Sequence, residues 1–420
     1  MAGTVDPKRE QGSRIPGGEE EGPLAGIRVL DLGRHLAGPT AAMWLGDLGA
    51  DVIKVESLAG GDPGRTAGPP FIDGESAFFL SANRNKRSLA LDVKSPDGQK
   101  IFRRLAGTAD VVIENFRPGV MDALSIGYGV LSRANPRLIY CSITGFGRGG
   151  PLAQRPGLDQ IIQGLSGLMS ITGFEGGPPV RVGIPIADLL AGLFGAYGIL
   201  AALQARQRTG RGQRVDTSLL ESMVGMLSFQ GVRYLNGRGT PPPAGNHHPI
   251  LAPYGVFEAR DGCLTIGTTS QRSWRRLCRV IGGEEFLKDP RFKDNGARFR
   301  HRELLARLMG EKLQAHTVAE WEEILNQESV PCGPIQSMDQ ALDHPQVLGR
   351  EMVMECSHPT AGRIRLLGLP VKHSQTPAAL HRPPPLLGQH TEEILKEVGL
   401  SEEDLRRLER LKVVASVGAG

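Results

Sequence analysis

Residues 27–56 constrain the fold of this chain more than any other part of its sequence. An apolar run at 27–32 is followed by a turn at 33–39, by apolar residues at helical spacing over 40–48, and by a second apolar run at 51–56. Strand, turn, helix and strand in so short a stretch are typical of a right-handed βαβ unit. Since strands joined in this way form a parallel sheet covered on both faces, the pattern predicts an α/β fold.

The alternation continues along the chain. Apolar runs at 109–114 and 138–143 predict two more strands, and helical spacing over 97–106 predicts a helix before them. Beyond residue 157 the pattern changes to glycine-dotted helices at 158–169 and 187–207. The sequence therefore predicts a large, open, mainly parallel, Rossmann-like sheet.

A smaller α+β unit is predicted after the Gly- and Pro-rich loop at 237–246. Apolar runs at 254–258 and 263–267 flank Asp261 and Gly262, a strong signal for a β-hairpin. Amphipathic helices of the smaller unit are predicted at 273–281, 302–315 and 318–327.

Two helices are predicted at the C-terminal end of the chain.

Composition argues against several classes of function. The 49 Lys and Arg against 45 Asp and Glu leave a net charge of +4 without a basic run, and aromatic residues make up 5% of the chain. This balance argues against a nucleic-acid partner. The five cysteines are far apart and form no Cys-x-x-Cys pair, which predicts reduced thiols in a cytoplasmic protein and no structural zinc.

Two segments bear on targeting. Residues 1–22 have no apolar core and include Glu19, Glu20 and Glu21, so we predict a disordered leader and not a secretory signal or mitochondrial presequence. The longest apolar stretch, 184–203, approaches membrane-spanning length but contains an aspartate and glycines. It predicts a buried helix, and we expect no membrane partner.

Familiar cofactor and hydrolase motifs are missing from the sequence. The turn after the first predicted strand lacks Gly-x-Gly-x-x-Gly, and the chain has no Gly-x-x-x-x-Gly-Lys-Ser/Thr loop, Gly-x-Ser-x-Gly elbow or His-Glu-x-x-His. His247 and His248 are adjacent on a loop without a third ligand nearby, which favours loop packing over a metal site. We therefore expect no metal and no redox cofactor.

Asp188 is the most informative acid. Pro185 is suited to the first turn of a helix, which places Asp188 where free N–H groups and the helix dipole favour a carboxylate. Gly192, Gly195 and Gly198 follow, and they would let another backbone approach the helix closely. Two interpretations stay open: Asp188 caps the helix, or it is an ionised nucleophile in a dry site.

A series of ordered motifs runs from residue 23 to the C-terminus. They lie at 23–32, 37–39, 48–56, 83–92, 114–119, 142–147, 164–173, around Asp188, at 210–216 and at 384–391. In these motifs the sequence resembles the class III CoA-transferases, a family that includes formyl-CoA, carnitine and dicarboxylate CoA-transferases and α-methylacyl-CoA racemase.

The resemblance implies an open α/β domain built from both ends of the chain, a small domain between them, and an interlocked homodimer. We accordingly predict a leader at 1–22, a large CoA-binding domain over 23–215 and 335–420, and a linker with a small α+β domain over 216–334. The expected small molecules are an acyl-CoA and a carboxylate, with coenzyme A as part of the substrate.

The resemblance also implies site residues. The family's nucleophile falls on Asp188, and its glycine-rich substrate loop falls on Gly245, Asn246, His247 and His248. Lys94 and Arg117 suit phosphate groups, and Phe116 suits an apolar part of CoA. The positions that would contact CoA are Leu36, Ala37, Leu91, Lys94, Asn115, Phe116, Arg117, Leu158 and Asp159.

Departures from the family pattern narrow the activity. Leu36 stands where the family often has Gln, so a hydrogen bond to the acyl group is not supplied there. Leu158 stands where the racemase branch has a histidine base, and leucine cannot exchange a proton. The substrate loop is not glycine-rich, which argues against formate or oxalate.

The sequence therefore predicts transfer of CoA from an acyl-CoA, with succinyl-CoA as the expected donor, to a small carboxylic acid, preferably a dicarboxylate. Asp188 would form an aspartyl–acyl anhydride and then an aspartyl-CoA thioester. The alternatives are a racemase-like enzyme and a non-catalytic CoA-binding protein.

Overall fold

The computed structural model describes residues 22–416, so the predicted leader lies outside the described residues except for Gly22. By their contacts the described residues form two compact units. The first comprises residues up to Gln154, Leu189–Ser218 and residues from Met354 on; the second comprises Arg155–Asp188 and Leu219–Val353. These bounds differ from the predicted ones, because residues 155–188 and 335–353 make their contacts within the second unit.

A seven-stranded sheet forms the centre of the first unit, in the order β14-β5-β2-β1-β6-β7-β8. All neighbours are parallel except β14, which pairs antiparallel with β5. The predicted α/β fold with a mainly parallel sheet is thus confirmed, and the C-terminal end supplies an edge strand. The strands are β1 (Arg28–Asp31), β2 (Asp51–Glu56), β5 (Lys86–Leu91), β6 (Val111–Glu114), β7 (Ile139–Thr144), β8 (Arg214–Ser218) and β14 (Val414–Ala415), with two small pairs, β3 (Phe71–Ile72) with β4 (Glu75–Ser76) and β12 (Val353–His358) with β13 (Gly362–Leu367).

Helices supply the apolar side chains that bury this sheet. Phe102 of α3, Ile394 of α17 and Leu405 of α18 lie in one buried cluster with Leu30 and Leu89 of the sheet. The amphipathic pattern predicted at 97–106 is confirmed as α3. The helices of the first unit are α1 (Ala37–Asp47), α2 (Ala77–Leu80), α3 (Pro96–Thr108), α4 (Val120–Ala123), α5 (Tyr128–Ala134), most of α8 (Ile186–Thr209), α17 (Thr391–Glu397) and α18 (Glu402–Arg410), with a 3₁₀ turn at Pro63–Thr66.

The long helix α8 is apolar and long enough to cross a membrane by length and composition alone. The predicted buried helix is only partly buried among the described residues, since Leu193, Tyr197 and Leu200 are exposed. Its glycines mark close packing within the first unit. A Cβ on Gly192 would lie 2.8 Å from the Ala37 carbonyl oxygen, so the predicted backbone approach is confirmed there. At Gly195 and Gly198 the neighbours are the side chains of Ile143 and Val215.

The second unit contains the predicted hairpin. Strands β9 and β10 pair antiparallel around Asp261 and Gly262, and β11 joins them as a third strand. Trp274, Phe292 and Leu325 are fully buried in its core. Its elements are α6 (Asp159–Leu165), α7 (Leu168–Ile171), α9 (Leu219–Gly225), α10 (Ser228–Leu235), β9 (Tyr254–Ala259), β10 (Gly262–Gly267), α11 (Gln271–Val280), α12 (Asn295–Arg300), α13 (Arg302–Leu313), α14 (Val318–Gln327), β11 (Cys332–Pro334), α15 (Met338–Leu342) and α16 (Pro345–Gly349), with 3₁₀ turns at Glu284–Leu287 and Pro290–Phe292.

The single helix predicted at 158–169 is two helices in the structure. Gly167 has a φ of +86°, which a right-handed helix cannot contain, and it separates α6 from α7. The break is a property of the glycine, since few other residues adopt this conformation without strain.

Candidate active site

The loops at the carboxyl ends of β1, β2, β5 and β6 surround a cavity of about 70 Å³ in the first unit. This edge is where open parallel sheets bind ligands. Three residues predicted to contact CoA, Leu91, Lys94 and Phe116, line the cavity together. The remaining lining residues are Leu32, Gly33, Arg34, Val55, Glu56, Ser57, Gly61, Asp62, Asp92 and Val93.

The loop after β1 is held by the loop after β6. The Asn115 side chain accepts a hydrogen bond from Arg34 N and donates one to Arg34 O, both at 2.8 Å. The Arg34 guanidinium then lies 4.7 Å from the centre of the Phe116 ring. Asn115, predicted as a CoA contact, therefore also fixes the backbone of the neighbouring loop.

Leu36 and Ala37 lie where this loop enters α1. Leu36 is the N-cap residue and makes no side-chain cap hydrogen bond, and both residues are buried. A helix start without such a cap leaves first-turn N–H groups available to a bound ligand.

Three cations at this edge have no ion-pair partner among residues 22–416. Lys94 and Arg117 are exposed, and Arg34 lines the cavity. Lys94 and Arg117 were predicted from the resemblance, whereas Arg34 was not. Arg34 could have been predicted from its position in the turn directly after the first apolar run.

Asp159 caps the helix that carries Asp188. One carboxylate oxygen, Asp159 Oδ1, accepts hydrogen bonds from Ala187 N at 2.8 Å and from Asp188 N at 3.4 Å. The other accepts one from the Gln163 side chain at 2.7 Å. The capping role considered for Asp188 is thus carried out by Asp159, which was predicted only as a CoA contact.

The Asp188 carboxylate is left without a hydrogen-bond or ion-pair partner in the described part of the chain. Burial, and secondly the negative charge of Asp159, raises the pKa of Asp188 to about 7. Both effects disfavour the charged form, which makes the ionised carboxylate a better base and nucleophile than a hydrated one. This environment favours the catalytic interpretation over the capping one.

The predicted substrate loop lies in the second unit. The His248 ring stacks on Tyr254 at 4.9 Å and on Phe229 at 6.1 Å between centres, and His248 Nδ1 accepts hydrogen bonds from Ile250 N and Leu251 N. These contacts pack His248 within the loop.

His247 is also packed within the second unit. Its ring contacts Phe257 edge-on, and burial, together with the nearby charge of Arg302, lowers the pKa of His247. The imidazole is therefore neutral at physiological pH.

A larger cavity of about 830 Å³ adjoins this loop. Three arginines line it, Arg233 from α10, Arg300 from α12 and Arg302 from α13, and none of them forms an ion pair with a described residue. The other lining residues are Pro242, Pro243, Ala244, Pro249, Ile250, Phe299, His301, Glu303 and Leu304. The positive charge of these three arginines suits the cavity to an anionic ligand.

Comparison with known proteins identifies the family. A model of the CoA-transferase family III matches residues 24–391. The chain belongs to the CoA-transferase family III.

Relatives of this CoA-transferase match over nearly its whole length. Succinyl-CoA:glutarate CoA-transferase from Homo sapiens is 42% identical, over 90% of this chain and 86% of its own. Succinate–glutarate CoA-transferase from Agrobacterium fabrum (strain C58) is 40% identical, over 90% of this chain and 96% of its own. The crystal structure of a CAIB/BAIF family protein from Brucella suis has a TM-score of 0.81 and 39% identity, covering 90% of this chain and all of that one.

The structure divides the predicted site residues of this CoA-transferase between the two units. Leu36, Ala37, Leu91, Lys94, Asn115, Phe116 and Arg117 lie in the first unit, and Leu158, Asp159, Asp188 and residues 245–248 in the second. Among residues 22–416 no group of three or more His, Cys, Asp or Glu is arranged to hold a metal ion.

Proposed function

We propose that this CoA-transferase moves CoA from succinyl-CoA to a small dicarboxylate, with Asp188 as the nucleophile. The observation that carries the proposal is the Asp188 carboxylate, which is half-buried, without a partner in the described residues, and released from helix capping by Asp159. The printed names of two relatives, a succinyl-CoA:glutarate and a succinate–glutarate CoA-transferase, support this donor and this class of acceptor.

The proposed reaction exchanges one CoA thioester for another without net hydrolysis. An Asp188 oxygen attacks the thioester carbonyl carbon of succinyl-CoA and the C–S bond breaks. This step forms an aspartyl–succinyl anhydride and releases CoA thiolate. The thiolate then attacks the aspartyl carbonyl carbon, which releases succinate and forms an aspartyl-CoA thioester. The acceptor carboxylate opens this thioester to a second anhydride, and the thiolate attacks the acyl carbonyl, giving the new acyl-CoA and free Asp188.

The chain's own side chains suit the binding of CoA. Arg34, Lys94 and Arg117 are cations that would pair with phosphate groups, and the half-buried Phe116 ring would contact an apolar part of the cofactor. The racemase alternative is not favoured, because Leu158 offers no proton-exchanging group and its side chain is 67% exposed.

A panel of acids with succinyl-CoA tests the proposed function. Mass spectrometry of the CoA products is expected to detect thioesters of dicarboxylic acids with four or five carbons. If only aromatic or long-chain monocarboxylates were converted, the acceptor class would be wrong while CoA transfer would stand. If no acid were converted, the transferase proposal itself would fail.

We further propose that the arginine-lined cavity of the second unit receives the acceptor's free carboxylate. Arg302→Leu is then expected to raise KM for a dicarboxylate acceptor about tenfold, the effect of losing one charge-assisted hydrogen bond. The KM for succinyl-CoA should rise by less, because its succinyl group also carries a free carboxylate but its CoA portion is bound by the cations of the first unit. Steady-state kinetics with each substrate varied in turn measures both values.

Arg307→Leu is the matched control for that variant. Arg307 is on the same helix, α13, but is exposed and pairs with Glu311 outside the cavity. An equal loss of acceptor affinity in both variants would contradict a specific role for Arg302.

The functional species is proposed to be a homodimer. The second unit exposes large apolar side chains at the N-cap of α6 and within it (Leu158, Ile161) and on α10 (Val232, Tyr234, Leu235), and such surfaces are typical of protein interfaces. Light scattering at assay concentration is expected to give about twice the chain mass of 45.1 kDa. A single species at the chain mass would rule out the dimer.

A further inference from the structure

We propose that Lys54 and Lys86 are positioning residues, buried ammonium groups that hold residues 33–39, the loop after β1 together with the first turn of α1, in their CoA-binding conformation. The inference rests on the proposed CoA site, since this segment contains Leu36 and Ala37. It concerns side chains that lie beneath the loop and do not line the cavity of the first unit.

Lys86 holds the C-terminal end of this segment, in the first turn of α1. Its Nζ donates to the carbonyl oxygen of Pro39, to Asp31 Oδ2 and to Asn83 Oδ1, each at 2.8 Å. These three acceptors use all three N–H bonds of the ammonium group. The Lys86 side chain is fully buried, so water does not compete for any of them.

Lys54 holds the N-terminal end of the segment by a hydrogen bond to its backbone. Its Nζ donates to the carbonyl oxygen of Gly33 at 2.9 Å and pairs with Asp62 Oδ2 at 2.8 Å. Both side chains of this pair are 1% exposed. The carbonyl groups at the two ends of the loop, Gly33 O and Pro39 O, are thus each held by a buried lysine.

The acids paired with the lysines hold the loop's amide groups. Asp31 Oδ1 accepts a hydrogen bond from Gly33 N at 2.8 Å, and Asp62 Oδ1 accepts one from His35 N at 2.9 Å. His35 has a φ of +60°, a conformation that non-glycine residues rarely adopt. The network therefore imposes a specific backbone on the loop, including at a strained residue.

A contribution to folding stability does not by itself explain this network of buried charges. Burying charged pairs costs desolvation that apolar side chains of similar size would avoid. A preformed loop, in contrast, reduces the ordering cost of binding. We therefore expect the lysines to affect acyl-CoA affinity beyond their effect on stability.

Arg84 provides a matched control. It forms a buried, two-bond ion pair with Asp47 at 2.6 and 2.8 Å, and its side chain is 2% exposed. Its third contact is the carbonyl oxygen of Leu367, so Arg84 makes no bond to the loop at 33–39. Arg84→Met and Lys86→Met each break one buried ion pair, but only Lys86→Met releases the loop.

The experiment compares these two variants by calorimetric CoA binding, steady-state kinetics and thermal unfolding. Both variants should unfold at lower temperature. Only Lys86→Met should weaken CoA binding and raise KM for succinyl-CoA, by about tenfold for the lost tether, with KM for the acceptor unchanged. Equal CoA affinity in the two variants would overturn the inference.

A second variant covers the case in which Lys86→Met does not fold. Asp31→Asn/Lys86→Met leaves no unpaired buried charge, because Lys54 still pairs with Asp62. The asparagine oxygen can still accept the Gly33 N–H, so the hydrogen bonds lost from residues 33–39 reduce to the one at Pro39, together with the bond from Lys86 to Asn83. It should show the same weakened CoA binding. If the wild-type chain binds CoA but converts no acid, the proposed function fails while this inference is still decided by the binding data.

Discussion

Asp188→Asn is expected to reduce kcat for CoA transfer by about 10³-fold or more, as the removal of a covalent nucleophile does. The amide is close in shape to the carboxylate but cannot open a thioester. CoA binding should persist, because the cations Arg34, Lys94 and Arg117 are untouched. Turnover from succinyl-CoA and calorimetric CoA binding measure the two effects separately.

Two further measurements make this prediction decisive. Asp188→Ala should lose the same activity, which excludes a contribution from slow hydrolysis of the asparagine back to aspartate. Wild-type enzyme incubated with succinyl-CoA and hydroxylamine should carry a modified Asp188 peptide in mass spectrometry. Substantial transfer by Asp188→Ala, or an unmodified peptide during turnover, would favour a non-catalytic CoA-binding protein.

Asp188→Asn should also stabilise the fold at neutral and alkaline pH. Because the pKa of Asp188 is raised to about 7 in the folded chain, the folded state binds its proton more tightly than the unfolded state does. Stability is therefore lost as pH rises from about 4 to 7, and asparagine avoids that loss. We expect Asp188→Asn to melt several degrees above wild type at pH 8, with the difference narrowing toward pH 5.

The strength of the sequence patterns decided which elements could be predicted. Strand β2 and helix α14 have the predicted bounds because their apolar periodicity is unbroken. Strand β5 was not predicted, since it begins Lys86-Arg87-Ser88, yet all six of its residues are buried. Burial of its charged residues depends on partners such as Asp31 and Glu397, which are distant in sequence.

The site could be predicted only in part for the same reason. Asp188 was recognised from its place in a helix and from the family resemblance, but its two interpretations could not be separated by local sequence. The deciding contact comes from Asp159, 29 residues earlier, which takes over the helix cap. Tethers such as Lys54 to the Gly33 carbonyl leave no local pattern, because they join a strand to a loop that is 21 residues away.

The pH dependence of catalysis should follow the ionisation of Asp188. Only the carboxylate can attack, and its fraction falls about tenfold for each pH unit below the pKa. With the pKa raised to about 7, kcat/KM for succinyl-CoA should fall about 50-fold between pH 7 and pH 5. Initial rates at low substrate concentration across this range measure the midpoint.

Asp159→Asn isolates the electrostatic part of that midpoint. Asparagine can still accept the Ala187 N–H and keep the helix cap, but it removes the negative charge that raises the pKa of Asp188. The acid limb of kcat/KM should therefore move to lower pH. It should not reach the ordinary value of an aspartate, because burial is the larger cause of the shift. Titration of the substrates is identical for both enzymes, so it cannot produce a difference between them. Coincident acid limbs would mean that a group other than Asp188 controls the rate.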